Sequence, residues 1–489
     1  MEDQNTSRTT SRRTILRAAA LTAGLAATSS LLGACGGGST TEPTATAASS
    51  AAATPITSGS ASTTTSGSAI ASVTGPWADA PKAAKPDHLN YIVWQYGNIY
   101  DKITPRFQQD WGVNVTPDIE PNVEPMVAKL TSSFAAGDQI DATVSPFQYL
   151  GSFIQQGIVE PIDGLPGIDQ YINDFTPFTK TIAQQQGKTW GLPYFATIWM
   201  NIYNEEKLQK AGFTAPFKSW DELTDQAQKA KRDGVVKYPI LWIAGAGFEQ
   251  LPGTWFVLTY NRGGVIFDKD LKPQLGAGSV ARETLAWWQK TFKDGLADPQ
   301  SLELRFIPAA KAFNTGDYIY LLPLHHYYIS LINDPGQSPI AGKAKHALMP
   351  GSGKTIGYTQ LYLLSKATKN KEWAWKLLQY LGGRTKDGRY TQADSLATDA
   401  MLASGYQSVM ESDAIKKGWT KWGDPNVILK QWETAANWSE VVPAVTEPWY
   451  SKWSDAINVE LTNCLSGKST PDEACDNMIK AVDTVKKAR

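Results

Sequence analysis

The chain of 489 residues is 42% hydrophobic and 19% charged, and 46 Lys and Arg against 47 Asp and Glu leave a formal net charge of −1. That balance excludes the basic face a nucleic-acid partner requires and offers no basic amphipathic helix for a membrane surface. Four histidines and three cysteines, with no Cys-x-x-Cys and no clustered His spacing, give no metal site, and no cofactor is expected.

The first element in chain order is Ser11-Arg12-Arg13-Thr14-Ile15-Leu16-Arg17, which resembles a twin-arginine export signal. An alanine-rich run from Ala18 to Leu32 leads to Leu32-Gly33-Ala34-Cys35, which resembles a lipoprotein box with Cys35 as the acylated residue. The run is roughly fifteen residues long and mostly Ala, Thr and Ser, short of the roughly twenty that a spanning helix needs. Residues 1–34 therefore read as a cleaved signal peptide. The mature chain would be held by two or more acyl tails on the extracytoplasmic face of a bacterial cell membrane. Residues 35–86 are Gly, Ser, Thr, Ala and Pro, with Glu42 the one charge before Asp79. Such a stretch buries too little apolar surface to order itself and makes a tether of roughly 40 Å r.m.s. span.

From residue 87 onward strands alternate with helices, the α/β pattern. Leu89–Trp94, Val113–Ile119 and Ile140–Val144 read as strands, with helices through Phe107 and Trp111, over Val123–Phe134 and over Tyr149–Gln156. Val235–Ile243, Tyr318–Leu322 and Tyr358–Leu364 are strand-like further on. Apolar periodicity marks helices at Glu283–Phe292, Glu372–Leu381 and Pro471–Lys487. Cys464 and Cys475 remain as an even pair once Cys35 is lipidated, and a disulfide between them is expected in an oxidising compartment.

Aromatic residues make up 11% of the chain, with 18 Trp and 19 Tyr. Several fall at strand ends or loops, among them Trp94, Trp199, Trp242, Trp255, Trp432, Trp438 and Trp449. An aromatic face stacks on the C–H face of a sugar ring while amides and carboxylates take its hydroxyls, so a carbohydrate ligand is suggested. Gly351-Ser352-Gly353-Lys354-Thr355 ends like a phosphate-binding loop, but it lacks the first glycine and runs into a strand instead of opening a helix. It reads as a hairpin loop. Adjacent His325 and His326 would point to opposite faces of a strand and are expected as one cleft-facing and one packed residue, not a chelating pair. No esterase elbow or glycosidase motif is present, and catalysis is not expected.

Six segments carry a family resemblance in order along the mature chain. They are Gln156-Gly157-Ile158-Val159-Glu160-Pro161-Ile162-Asp163, Gly187-Lys188-Thr189-Trp190-Gly191-Leu192-Pro193-Tyr194, and Ile202-Tyr203-Asn204 through Ala211-Gly212-Phe213. Ser219-Trp220-Asp221-Glu222-Leu223, Ala312-Phe313-Asn314-Thr315-Gly316-Asp317-Tyr318 and Ser365–Trp375 follow. Together they resemble extracellular solute-binding proteins of bacterial ABC transporters, sugar-binding type (family 1, similar to maltose-binding protein). Tyr318 and Ile319 depart from the small residues usual in the fifth segment.

The resemblance implies a two-lobed, periplasmic-binding-protein-like (type II) α/β fold over 87–489, with crossing strands as the hinge. Lobe 1 would hold about 87–195 and 359–404, and lobe 2 about 196–358 and 405–489. It further implies a monomer that captures a carbohydrate between the lobes and delivers it to an ABC permease. A non-sugar solute (peptide, polyol phosphate or polyamine) is the alternative, and a cell-surface carbohydrate-active enzyme a remote one. The ligand site is expected at strand ends and crossings: Gln95, Tyr96, Phe147, Tyr194, Trp199, Trp242, Trp255, His325, Tyr358 and Trp438. In that reading Trp242, Trp255 and Trp438 stack on sugar rings, and Gln95 and His325 hydrogen-bond hydroxyls.

Overall fold

The computed structural model describes residues 75–94, 99–247, 250–391, 393 and 401–487. The export signal, Cys35, the tether up to residue 74, and the candidates Gln95 and Tyr96 lie outside the described residues.

The strands are β1 (His88–Trp94), β2 (Asn114–Glu120), β3 (Ala142–Ser145), β4 (Val159–Glu160), β5 (Gln184–Gln185), β6 (Lys188–Thr189) and β7 (Gly191–Asn204), followed by β8 (Ile240–Trp242), β9 (Tyr320–His325), β10 (Ala344–Ala347), β11 (Thr355–Ser365) and β12 (Ala435–Asn437). The main path of hydrogen-bonded strands runs β2-β1-β3-β11-β7-β9-β8, with β4 and β12 also on β11 and β10 also on β7. β1 lies parallel between β2 and β3, because the helices Ile99–Trp111 and Val123–Ala136 return the chain in the same direction each time. β11 then runs antiparallel to both β3 and β7.

β7 and β11 position everything else. The first part of β7, Gly191 to Ile198, pairs with β11, and its continuation from Trp199 pairs with β9 and β10. The strand path is therefore unbroken, not split into two sheets, because one strand belongs to both halves. Every residue of β11 is buried, and all but Tyr203 of β7. The chain passes β7 a third time at Ala403, whose carbonyl accepts from the Ala196 N–H at 2.8 Å. The helices Tyr450–Leu465 and Pro471–Lys487 close the chain against each other and against Gln250–Asn261 and Val280–Lys293.

Local chemistry explains the boundaries. Ser219 caps the helix Trp220–Arg232 by accepting from the Glu222 N–H at 3.1 Å, while the Glu222 side chain accepts from the Lys218 N–H at 2.7 Å just before the helix. The expected strand Val235–Ile243 shrinks to three residues, since Pro239 has no N–H to give a ladder and its carbonyl instead accepts from Ile319 and Tyr320. The phosphate-loop lookalike is a turn before β11, with the Ser352 hydroxyl on the Asn261 carbonyl at 2.7 Å. The expected disulfide is not formed: Cys464 and Cys475 are free thiols on the last two helices, and burial pushes both up to about 12. They pack there as small apolar groups.

The segment from Gly75 to β1 is strapped to the helix Lys371–Gly382. Lys376, only 3% exposed, donates to the carbonyls of Pro76 and Trp77 at 2.9 and 3.0 Å. Glu372 accepts from the Lys82 and Ala83 N–H groups, and the Trp373 indole donates to the Ala83 carbonyl.

A Cβ at Gly357 of β11 would stand 2.2 Å from the Thr197 carbonyl oxygen of β7 and 2.9 Å from the Ile198 side chain. Gly357→Ala is therefore expected to destabilise the protein by about 1–3 kcal/mol, an overpacking cost. Urea unfolding should show a lower midpoint at unchanged slope. A midpoint equal to the parent's would show that the two backbones are not held this close.

Candidate functional site

A cavity of about 360 Å³ opens where the two halves meet. One wall comes from the C-terminal ends of β1 and β2: Trp94, then Pro121 to Glu124 at the start of the helix Val123–Ala136. Gln148 adds to it just after β3. The opposite wall is Gln250, Arg305 to Pro308 at the start of the helix Phe306–Phe313, and Tyr327 and Tyr328 after β9. Between them lie Phe195 of β7 and Tyr358 and Gln360 of β11. Gln360 sits directly across the ladder from Phe195, and Tyr358, two positions along β11, shares its face. These are positions outside the ends of parallel strands and on crossing strands, where open α/β sheets bind ligands.

His325 links the second wall to β11. Its Nδ1 lies 3.3 Å from the Tyr327 hydroxyl and its Nε2 3.5 Å from the Tyr358 hydroxyl. Phe306 packs on its ring at 4.5 Å. Burial, then the nearby His326, holds its pKa well below the ordinary value, so the imidazole is neutral. Gln360 is 3% exposed, and its Oε1 has no partner among the described residues. Glu124 and Arg305 are the charged side chains of the described lining, and they meet each other at 2.9 Å. The cavity therefore presents aromatic faces, amides and a neutral imidazole, with its one cation already paired.

Of the expected site residues, His325 and Tyr358 line this cavity. Phe147, Trp199 and Trp438 form a buried layer directly behind it. Phe147 stacks on Tyr358 at 4.3 Å, Trp438 lies 5.0 Å from Phe147, and Trp199 meets His325 edge-on at 4.8 Å. Gly253 lets the helix Gln250–Asn261 press on both indoles, since a Cβ there would fall within 2.8 Å of each. Four expectations are corrected. Tyr194 points to the other face of β7 from Phe195, into a cluster with Trp94 and Tyr362. Trp242 is fully buried against Trp287 and Trp288 and donates its indole N–H to the Thr291 hydroxyl at 3.1 Å. Trp255 sits not in a loop but in a helix buried on every residue except Tyr260, its N–H on the Ala281 carbonyl. Trp438 supports Tyr358 from behind, with no face on the cavity.

The lining residues not expected from sequence include Glu124, Phe195, Gln250, Arg305, Phe306, Tyr328 and Gln360. The strand-end rule could have reached Glu124, which follows β2, and Tyr328, which follows His325. His326 turns away from the cavity, its Nε2 donating to the Met401 carbonyl at 3.0 Å, and His346 in turn donates to the His326 carbonyl at 2.8 Å. No group of three metal-ligating side chains exists among the described residues.

The profile of a family described as bacterial extracellular solute-binding protein matches residues 94–385. A protein of Brucella abortus (strain 2308) named as a binding protein is 26% identical over 302 residues, 60% of this chain and 71% of its own. The maltotriose-binding protein of Pyrococcus abyssi is 25% identical over 274 residues, 51% of this chain and 52% of its own. Among solved structures, a maltose-bound MalE3 of T. maritima superimposes with a TM-score of 0.69 at 20% identity, covering 81% of this chain and 99% of its own. An ABC transporter solute-binding protein of Agrobacterium vitis S4 with bound D-mannitol does so at 0.67 and 21% identity, over 82% and 99%. The shared fold is the two-lobed α/β architecture of these proteins.

The buried histidines make a pH prediction. Burial chiefly pushes His326 down to about 3 and His346 to about 4 from an ordinary 6.5. In the unfolded chain they take protons near 6.5 and in the folded one only far lower, so their contribution is complete above that value and is lost as pH falls towards 4. Thermal melts between pH 8 and pH 4 should show a smaller loss of Tm in His346→Gln than in the parent, each measured against its own pH 8 value. Equal losses would mean that His346 is not held neutral.

Proposed function

The chain belongs to the bacterial extracellular solute-binding protein family, and on that premise we propose that it captures a neutral carbohydrate or polyol in this cavity and delivers it to an ABC permease. The observation that carries the reading is the lining itself. Trp94, Phe195, Phe306, Tyr328 and Tyr358 offer ring faces, Gln148, Gln250 and Gln360 offer amides, and the ion pair of the described lining is closed on itself. Rings take the C–H faces of a sugar or polyol, amides exchange hydrogen bonds with its hydroxyls, and the neutral His325 holds Tyr327 and Tyr358 in place behind them. The unpartnered Gln360 Oε1 is an acceptor awaiting such a donor. Ligands named for related structures (maltose, D-mannitol and ribitol) are of this neutral, polyhydroxylated class.

In this proposal about 87–195 and 359–404 form one lobe and about 196–358 and 405–489 the other. Support comes from the pairing of β1 to β3 with β11, and of β8 to β10 within the set joined to the later part of β7. Solute touching both lobes favours the closed form by population shift, and the permease reads that form. The protein would act as a monomer on the outer face of the cell membrane, tethered through lipid on Cys35 after twin-arginine export. Glu124, held in its ion pair, is the one acid in the described lining, and the reading is binding without catalysis.

Isothermal titration against a panel of mono- and disaccharides and polyols tests the reading, with saturable binding of at least one expected. A panel without a binder, alongside binding of a peptide or polyamine, would replace it. Tyr358→Ala and Phe306→Ala, each checked for folding by thermal melt, are expected to cost roughly 1–3 kcal/mol by analogy with stacking on nucleobases. That is roughly tenfold to more than a hundredfold in Kd. Unchanged affinity in both would move the ligand elsewhere. For the anchor, Cys35→Ala should abolish metabolic labelling by fatty acid. Persistent label would refute lipidation at that residue.

A further inference from the structure

Resting on the neutral-solute reading, we propose that Glu124 sets the charge selectivity of the cleft: by occupying Arg305 it reserves the site for uncharged solutes and excludes their carboxylated counterparts. Arg305 and Glu124 come from opposite walls, one before the helix Phe306–Phe313 and the other in the first turn of Val123–Ala136. The Arg305 Nη2 reaches the Glu124 Oε1 at 2.9 Å and the Gln250 Oε1 at 3.5 Å.

The Arg305 side chain is 41% exposed, and its guanidinium has a backbone neighbour on one side. It lies against the backbone of Gly247, where a Cβ would stand 2.9 Å from Nε and 3.1 Å from Cζ. Gly247 is itself fixed by the Asn458 side chain, which accepts its N–H at 3.0 Å. A free arginine held this way on a cleft wall would be a bidentate receptor for a carboxylate, since its fork of donors matches two oxygens. Glu124 fills that role internally.

The surrounding charges reinforce the exclusion. Asp455, on the helix Tyr450–Leu465, has its carboxyl held above the ordinary range by burial and then by the charge of Glu124, so the two acids lie in each other's field. Glu124, the one acid of the described lining, thus has a second acid within its field. An incoming carboxylate meets repulsion and must also displace Glu124 before Arg305 can receive it, whereas a neutral hydroxyl meets neither obstacle. Rejecting the unwanted ligand by a charge already in place is a common route to specificity. In Glu124→Gln the amide keeps the shape, removes one negative charge and releases the guanidinium.

The test compares matched pairs, maltose with maltobionate and D-mannitol with D-mannonate, by calorimetry on the full-length protein in detergent at low and at raised salt. Parent, Glu124→Gln and Glu124→Gln/Arg305→Gln are compared after melts show each folded. Expected is a gain of about tenfold or more in affinity for an acid member in Glu124→Gln, weakened by salt and abolished in the double variant. No gain for either acid in Glu124→Gln overturns the proposal, and so does a gain that survives removal of Arg305. The neutral members report separately: if the parent binds none of the wider neutral panel, the carbohydrate reading fails. The acid titrations of the two variants still decide the role of Glu124.

Discussion

Gly191 and Gly357 allow β7 and β11 to lie backbone against backbone, and the two-walled cavity depends on that approach. A Cβ on Gly191 would come 2.3 Å from the Tyr362 carbonyl, and one on Gly357 2.2 Å from that of Thr197. With the glycines in place, the antiparallel ladder brings Phe195, Tyr358 and Gln360 onto one face. Because β7 continues past Ile198 to pair with β9 and β10, the same strand also delivers His325 and the two tyrosines after it to the opposite wall. Strands shared by both walls hold them in one register.

Behind that face the protein invests in aromatic packing instead of charge. Phe147, Trp199 and Trp438 back Tyr358 and His325, so the lining rings are held in place by other rings. Such pairs add roughly 0.5–1.5 kcal/mol each beyond the area they bury. The same burial keeps His325, His326 and His346 neutral, so none of the three offers a cation to an anionic ligand. The charge that is present, Arg305, is met by Glu124 across the mouth. Among the described lining residues, charge is thus confined to one closed ion pair.

Individual residues show why part of the site was legible. His325 and Tyr358 fall at a strand end and in a crossing strand, and the strand-end rule for α/β folds found both. Trp242 and Trp255 satisfied the same kind of reasoning but failed on orientation. Pro239 cut the strand before Trp242 to three residues, and the segment around Trp255 became a buried helix whose weak amphipathicity gave no periodic signal. Tyr194 and Phe195 are neighbours, and the pleat alone decides that Phe195 faces the cavity.

What the amino-acid sequence determined by itself was the order and kind of elements. The α/β alternation and the helix Pro471–Lys487 rest on local periodicity, and the N-cap of Ser219 rests on short-range hydrogen bonding. Tertiary structure alone decided which aromatic faces reach the cavity, that the two cysteines stay apart as thiols, and that Arg305 finds Glu124, 181 positions away in the chain. The physical reason is one of range. Propensity and capping act within a turn or two, whereas the side a residue faces and the partner it meets depend on a register set by backbone contacts between distant strands.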